Sequence, residues 1–181
     1  MRKYSERFQR KNTIAIFDWL ERVIEVNGNF LDVGCSDGWT IEFVQKRFCN
    51  TSGVGISIDK GDVSACKEFG VKCFLGDAEK MPFKDGEFSF VYSHHMLEHS
   101  ESPFRCVKEF MRVVCDDGFV LVSVPEYNLK YLKCDSHKYV MPVESWRELF
   151  FRAGLELVGF TSVISLETDY VFLLKKLEGE K

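Results

Sequence analysis

The sequence predicts an α/β fold, with a sheet of about seven mostly parallel strands lying between two layers of helices. Three observations carry this. From residue 28 onward, short apolar runs rich in β-branched residues alternate with segments of helical period. Phe119–Val124 is nearly continuous apolar sequence, as a strand covered on both faces requires. Leu155–Ser162 and Tyr170–Lys175 then follow one another without a helix between them, so one strand near the C-terminus must run antiparallel.

The bulk properties set the frame. With 181 residues, 45% hydrophobic and 29% charged, the chain is expected to be a single globular domain over residues 1–181. A net charge of -4 makes bulk nucleic-acid binding an unfavourable reading. No apolar run approaches the ~20 residues of a membrane span, and the polar start lacks a signal-peptide core. No membrane partner and a cytoplasmic location are therefore expected. The seven cysteines (Cys35, Cys49, Cys66, Cys73, Cys106, Cys115 and Cys134) include no C-x-x-C pair and are odd in number. They read as reduced, structural thiols.

Residues 1–27 form an expected N-terminal helical cap. Ile14, Phe17, Leu20, Val23 and Ile24 recur at helical spacing to about Val26, and Asn27-Gly28-Asn29 stops the helix. The basic start (Arg2, Lys3, Arg7, Arg10, Lys11) reads either as a solvated face or as an arm over the site that selects an anionic substrate. The expected core, 28–176, opens with strand Phe30–Val33. It enters the turn Gly34-Cys35-Ser36-Asp37-Gly38, then a helix over Ile41–Phe48. Such a junction brings backbone N–H groups and a helix N-terminus close to a ligand. Asp32 and Asp37 add acceptors suited to hydroxyls or an amine.

Strand Gly53–Ile58, helix Val63–Phe69 and strand Val71–Leu75 come next. Lys84-Asp85-Gly86 turns the chain into strand Phe88–Ser93, and helix Pro103–Val114 leads through Asp116-Asp117-Gly118 to Phe119–Val124. Helix Val143–Ala153 precedes the closing strands. The long irregular connection, 126–141, leaves the carboxyl end of the fifth strand, the edge where open α/β sheets bind ligands. Its Tyr, Lys, Asp and His content makes it the expected substrate-side segment.

By this point the chain resembles the class I, Rossmann-like S-adenosylmethionine-dependent methyltransferases, in particular the small methyltransferase-domain families that include ubiquinone-pathway-type O-methyltransferases. Leu31-Asp32-Val33-Gly34-Cys35-Ser36-Asp37-Gly38 is similar to the family's D-x-G-x-G-x-G cofactor loop, with Ser36 at the middle glycine. Gly76-Asp77-Ala78-Glu79-Lys80-Met81-Pro82-Phe83 resembles the segment whose Asp contacts the adenine amine. Phe88–Val91, Arg112-Val113-Val114 and Asp117–Leu121 match further segments in order. The resemblance covers about residues 28–176. It implies S-adenosyl-L-methionine as cofactor, S-adenosyl-L-homocysteine as product, and transfer of a methyl group to an O or N acceptor that the sequence does not identify.

The cofactor residues implied are Asp32, Gly34, Cys35, Ser36, Gly38, Ser57, Asp59, Asp77, Ala78, Met81 and Ser93. Counting from Gly55, the family's ribose-gripping acid falls on Ser57, and the nearest acid is Asp59. Residues two apart on a strand face the same way, so Asp59 is the expected ribose partner. Met81 is expected either against adenine or in the core.

Ser93-His94-His95-Met96-Leu97-Glu98-His99 supplies the acceptor-side candidates His94, His95 and His99, since an imidazole near neutrality suits deprotonation of a hydroxyl or amine. His95, Glu98 and His99 also form H-x-x-E-H, and on a helix His95 and His99 would share a face. That leaves two alternatives to a base: a structural role, or a divalent metal as in the ubiquinone-pathway relatives. Two other functions compete with methyl transfer. One is a non-catalytic cofactor- or partner-binding module of the same fold, and the other a metal-dependent hydrolase built on those three residues. A small or a larger acceptor and a homodimer are both compatible with the few additions to the core.

Overall fold

The computed structural model describes residues 2–164 and 168–177, with side chains from residue 10 onward. Helix α1 (Arg2–Leu20) precedes β1 (Gly28–Val33), α2 (Trp39–Arg47), β2 (Thr51–Ser57), α3 (Lys60–Phe69), β3 (Cys73–Leu75) and β4 (Phe88–His94). A short 3-10 turn at Leu97–His99 leads to α4 (Pro103–Val113), β5 (Val114–Pro125), α5 (Leu129–Leu132), α6 (Val143–Arg152), β6 (Leu155–Ile164) and β7 (Thr168–Lys176). The sheet order is β3-β2-β1-β4-β5-β7-β6. β7 runs antiparallel to both β5 and β6, and the other pairings are parallel. This is the three-layer α/β/α arrangement expected. The 165–167 connection of the closing hairpin lies outside the described residues.

Strand alternation sorts the core onto two faces. Phe30, Phe90 and Tyr92 face α1 and α2, where they pack with Ile16, Phe17, Leu20, Ile41 and Val44. Leu31, Val33 and Val91 face α4 and α6 and meet Val107, Phe110, Trp146 and Phe150. Phe17 stands at the centre of the first layer, its ring 5.3 Å from Tyr92 and 6.3 Å from Phe90. Truncating so well buried a ring costs about 3–5 kcal/mol. The same alternation sends Asp32 and His94 to the α1 face, at the carboxyl edge of the sheet.

Most element ends shift by a few residues from the sequence reading, and four differences have a local cause. Helix α1 ends at Leu20, and residues 21–23 form a turn closed by Ile24 N–H to Leu20 O, 3.0 Å. Strand β3 starts at Cys73, because Val71 belongs to the C-cap of α3: Gly70 takes φ +85 and Val71 N–H reaches Cys66 O. β5 begins at Val114, since the Asp116-Asp117-Gly118 stretch stays in the strand beside a register shift opposite Phe88–Phe90. The 126–141 connection contains α5, capped by Asn128 Oδ1 accepting from Lys130 and Tyr131 N–H. No helix among the described residues is long and apolar enough to cross a membrane.

Candidate active site

The carboxyl edge of the parallel strands opens onto two hollows that share Gly34. The larger, about 390 Å³, is lined by Gly34, Ser57, Asp59, Asp62 and Gly76–Glu79 on one side. His95, Met96, His99 and Lys138 line it on the other. The smaller, about 60 Å³, lies under α1 between Arg10, Thr13, Asp32, Asp37, Trp39, Tyr92 and His94. Gly34 has φ +82, and a Cβ there would come within 2.8 Å of Met96 Cγ, so the turn tolerates no side chain at this point. Ser36, at the middle glycine of the loop, also lies in the left-handed region with φ +48. The loop keeps its glycine shape at the cost of placing a serine there.

Asp32 is the chemical centre of the smaller hollow. It is buried, and its Oδ2 has no hydrogen-bond partner. Burial, reinforced by the charge of Asp37, pushes its carboxyl up to about 8. Arg10 roofs the hollow, with Nη2 2.6 Å from Asp37 Oδ2 and the guanidinium 5.2 Å from the Trp39 ring centroid. At Arg10 the basic start is an arm over the site; the side chains of Arg2, Lys3 and Arg7 lie outside the described residues.

At the end of β2, Asp59 Oδ1 caps α3, accepting from Gly61 N–H at 2.5 Å and Asp62 N–H at 3.3 Å. Ser57 Oγ donates to Asp62 Oδ2 at 2.8 Å, so Asp62 is a third group at the end of β2 that sequence counting did not single out. Asp77 is exposed at the rim, its Oδ1 accepting from Glu79 N–H. Ala78 lines the larger hollow. Met81 lines neither: it sits in the core, its N–H donating to Glu109 and its carbonyl accepting from Arg112. Arg112 also donates to Phe83 O at 2.7 Å, which clamps the whole segment in place. Cys35 lies behind its turn, Gly38 ends the turn at φ +81, and Ser93 is buried beneath it with Oγ unpartnered.

The histidines separate. His95 takes φ +50, so the chain leaves β4 through a kink and the expected helix bearing His95 and His99 on one face does not form. His95 Nε2 is 2.7 Å from Asp169 Oδ1, and its Nδ1 is 3.5 Å from Glu98 Oε1. His94 Nδ1 meets the Tyr92 hydroxyl at 2.8 Å and Thr13 Oγ1 at 3.2 Å. Its Nε2 stands 3.5 Å from Asp169 Oδ2, and burial lowers its proton affinity. Asn12 Nδ2 donates to the same Asp169 oxygen at 2.6 Å. Burial alone would raise Asp169, but the neighbouring imidazoles of His94 and His95 outweigh it and hold the carboxylate well below its usual range.

His99 belongs to another group. Its Nδ1 donates to Ser136 O at 2.7 Å, and its ring lies 4.8 Å from that of His137. Glu98 is fully buried and stands between the two groups, its Oε1 3.5 Å from His95 Nδ1 and 3.9 Å from His99 Nε2 with neither oxygen in a hydrogen bond, and burial raises its carboxyl. The ligand-like groupings are therefore His94/His95/Asp169 and Glu98/His99/His137. They divide the three residues that the H-x-x-E-H spacing had joined. Asp169, Asn12, Thr13 and Tyr92 were missed from sequence. One signal was present: Asp169 opens the antiparallel strand, and that end necessarily lies at the carboxyl edge of the others.

Comparison with known proteins bears on the family and the fold. A family model described as a methyltransferase domain matches residues 31–122, just over half of the chain. Ajmaline N-methyltransferase of Rauvolfia serpentina is 33% identical over 101 residues, covering 52% of this chain and 35% of that protein. An uncharacterized protein of Methanocaldococcus jannaschii is 30% identical over 136 residues, 70% of this chain and 66% of its own length. The chain thus spans from about a third to just under two thirds of these relatives. A structure from Thermotoga maritima described as a "SAM-dependent methyltransferase, possible histamine N-methyltransferase" superposes with TM-score 0.77. That match covers 97% of this chain and 96% of that one, and at 16% identity it bears on the fold.

Proposed function

The chain belongs to the methyltransferase-domain family, whose cofactor is S-adenosylmethionine, and on that premise we propose that it methylates a protonated oxygen or nitrogen acceptor with His95 as the base. The observation that carries the reading is the His95–Asp169 contact of 2.7 Å on the wall of the larger hollow, across from the cofactor-type edge.

The residues present fit the cofactor. Asp32 offers a buried carboxylate oxygen with no protein partner, suited to an ammonium group. Gly34 leaves backbone accessible where the two hollows meet. Ser57 with Asp59 or Asp62 faces the position for ribose hydroxyls, and Asp77 with Ala78 that for an adenine edge. When bound, the cofactor supplies an activated methyl on a sulfonium, so the protein's task is alignment and, for a protonated acceptor, removal of one proton.

His95 performs that removal in this reading. Asp169 fixes the ring through Nε2 and stabilises the imidazolium formed when the ring takes the acceptor's proton. His94 supports Asp169 from the neighbouring position, and Asn12 holds the other carboxylate oxygen. His99 serves to anchor residues 126–141, whose Lys138 and Tyr139 N–H groups both donate to Glu98 O. The chain then acts as one methyltransferase domain with 126–141 on its substrate side.

The test is a turnover screen of amines and phenols at several pH values, following S-adenosylhomocysteine formation. His95→Gln should abolish most turnover while leaving S-adenosylhomocysteine affinity intact. Equal turnover in the variant would remove His95 from the reaction.

A further inference from the structure

Three cysteines from three elements meet behind the cofactor turn. Cys35 Sγ, in the turn, lies 3.2 Å from Cys73 Sγ on β3 and 3.7 Å from Cys66 Sγ on α3. All three sulfurs are within 4.8 Å of one another. Cys35 and Cys66 are buried, Cys73 partly so, and none is in a disulfide. We propose that Cys35, Cys66 and Cys73 form a site for one soft, thiophilic metal ion, a Cu(I)- or Zn(II)-type centre, that ties the cofactor turn to the two elements behind it.

The spacing suits such an ion. Sulfurs each about 2.3 Å from a common centre stand roughly 3.7–4.0 Å apart, so the Cys35–Cys66 pair already fits and the Cys35–Cys73 pair has to open by about 0.5–0.8 Å. An all-sulfur set selects soft ions over magnesium or calcium. The surroundings are shaped for sulfur as well. A Cβ on Gly55 would lie 2.4 Å from Cys35 Sγ, and one on Gly38 would lie 3.1 Å from Cys66 Sγ. Two glycines therefore leave the room that the thiols occupy. Plain core filling would be served equally by alanine or valine, which have no reason to converge three polarizable atoms on one point.

The placement gives the ion a consequence. Helix α3 carries Asp59 at its cap and Asp62 in its first turn, β3 leads into Gly76-Asp77, and Cys35 sits in the turn beside Gly34. One ion would fix three walls of the larger hollow relative to one another. This goes beyond the methyl-transfer reading and does not depend on it.

The test uses the full chain without a histidine tag. It would be purified under reducing conditions, analysed for bound metals, and titrated with Zn(II), with Co(II) as a spectroscopic substitute, and with Cu(I) against a competing chelator. One ion per chain is expected, with a thiolate-to-cobalt charge-transfer band and about three sulfurs near 2.3 Å by X-ray absorption. Cys66→Ala and Cys73→Ala should each weaken binding at least about tenfold, as losing one direct ligand should cost at least what losing a supporting one does. Cys106→Ala, equally buried elsewhere, and the double variant Cys49→Ser/Cys134→Ser, at one exposed and one half-buried cysteine, should bind as the wild type does. Failure of the wild-type chain to hold an ion against the chelator would overturn the proposal. So would fewer than three sulfurs in the absorption spectrum, which is read on wild-type protein and needs no variant to fold. A mass two hydrogens light, with Cys35 and Cys73 in one peptide, would replace the metal site by a disulfide.

Discussion

The two sides of the site differ in how far apart their partners lie in the chain. On the cofactor side, the working groups come from short stretches: a turn of five residues after β1, the first turn of α3 after β2, and Gly76–Glu79 after β3. Each is held by neighbours, such as Asp59 capping Gly61 and Asp62, or Asp77 accepting from Glu79. On the histidine side the contacts are distant. His95 and Asp169 are separated by 74 positions, and Asn12 and Asp169 by 157. Locally encoded geometry survives the loss of one group, whereas a network of distant partners is left with buried unpaired charges when one is removed.

That contrast predicts unequal responses to substitution, the largest on the histidine side. His95→Gln should lower kcat by about 10²–10⁴-fold, the usual worth of a positioned base, with little change in S-adenosylhomocysteine affinity. Single-turnover kinetics beside calorimetry would separate the two. Asp169→Ala should be the most destabilising change of the set, by about 3–5 kcal/mol, because it strands His94, His95 and Asn12 together. Urea unfolding would measure it, and a loss under about 1 kcal/mol would mean the network is not held as described.

Asp32 sharpens the comparison through pH. Its folded value of about 8 lies above its ordinary 3.8, so between those limits the folded chain holds a proton that the unfolded chain has released. The contribution of Asp32 to stability without cofactor is therefore greatest at the acid end of that window and falls as pH rises to about 8. Asp32→Asn should flatten this slope and be the more stable chain at pH 8, by on the order of 1–3 kcal/mol, with no such gain near pH 4. An ammonium group arriving beside Asp32 favours the carboxylate, so ligand binding near neutrality should release a proton. Calorimetry in buffers of different ionisation heat would show it in the wild type and not in Asp32→Asn.

The smallest expected effect is at Ser36. Replacing a residue at φ +48 by glycine relieves the left-handed conformation, and Ser36→Gly should raise stability by about 1 kcal/mol or less with cofactor affinity kept. A lowered melting temperature would show that the serine makes a contact worth more than its strain.

The same division explains what the sequence made legible. The alternation of strands and helices, the antiparallel closing strand, the turn after β1 and the Gly76-Asp77 segment followed from periodicity and local motifs, because they are written in adjacent residues, whereas the order of the strands in the sheet was not. Met81 read from its place in a motif as either a ligand contact or a core residue. The Arg112–Glu109 pair, some thirty positions away, draws its segment into the core. Asp62 was passed over for Asp59 because counting along a strand does not reveal that Asp59 turns back to cap the next helix. His95 and His99 shared a spacing that promised one face, and the kink at His95 sent them to different partners. Asp169 was invisible for the same reason: its significance depends on a strand pairing formed from the far end of the chain.

The most direct measurement is a side-by-side calorimetric titration of S-adenosylhomocysteine into wild type, Asp32→Asn and His95→Gln. Loss of a charge-assisted contact should weaken Asp32→Asn about ten- to a hundredfold, while His95→Gln binds within about a factor of two of wild type. The reverse pattern, with Asp32→Asn binding normally and His95→Gln not, would contradict the division of the site at Gly34.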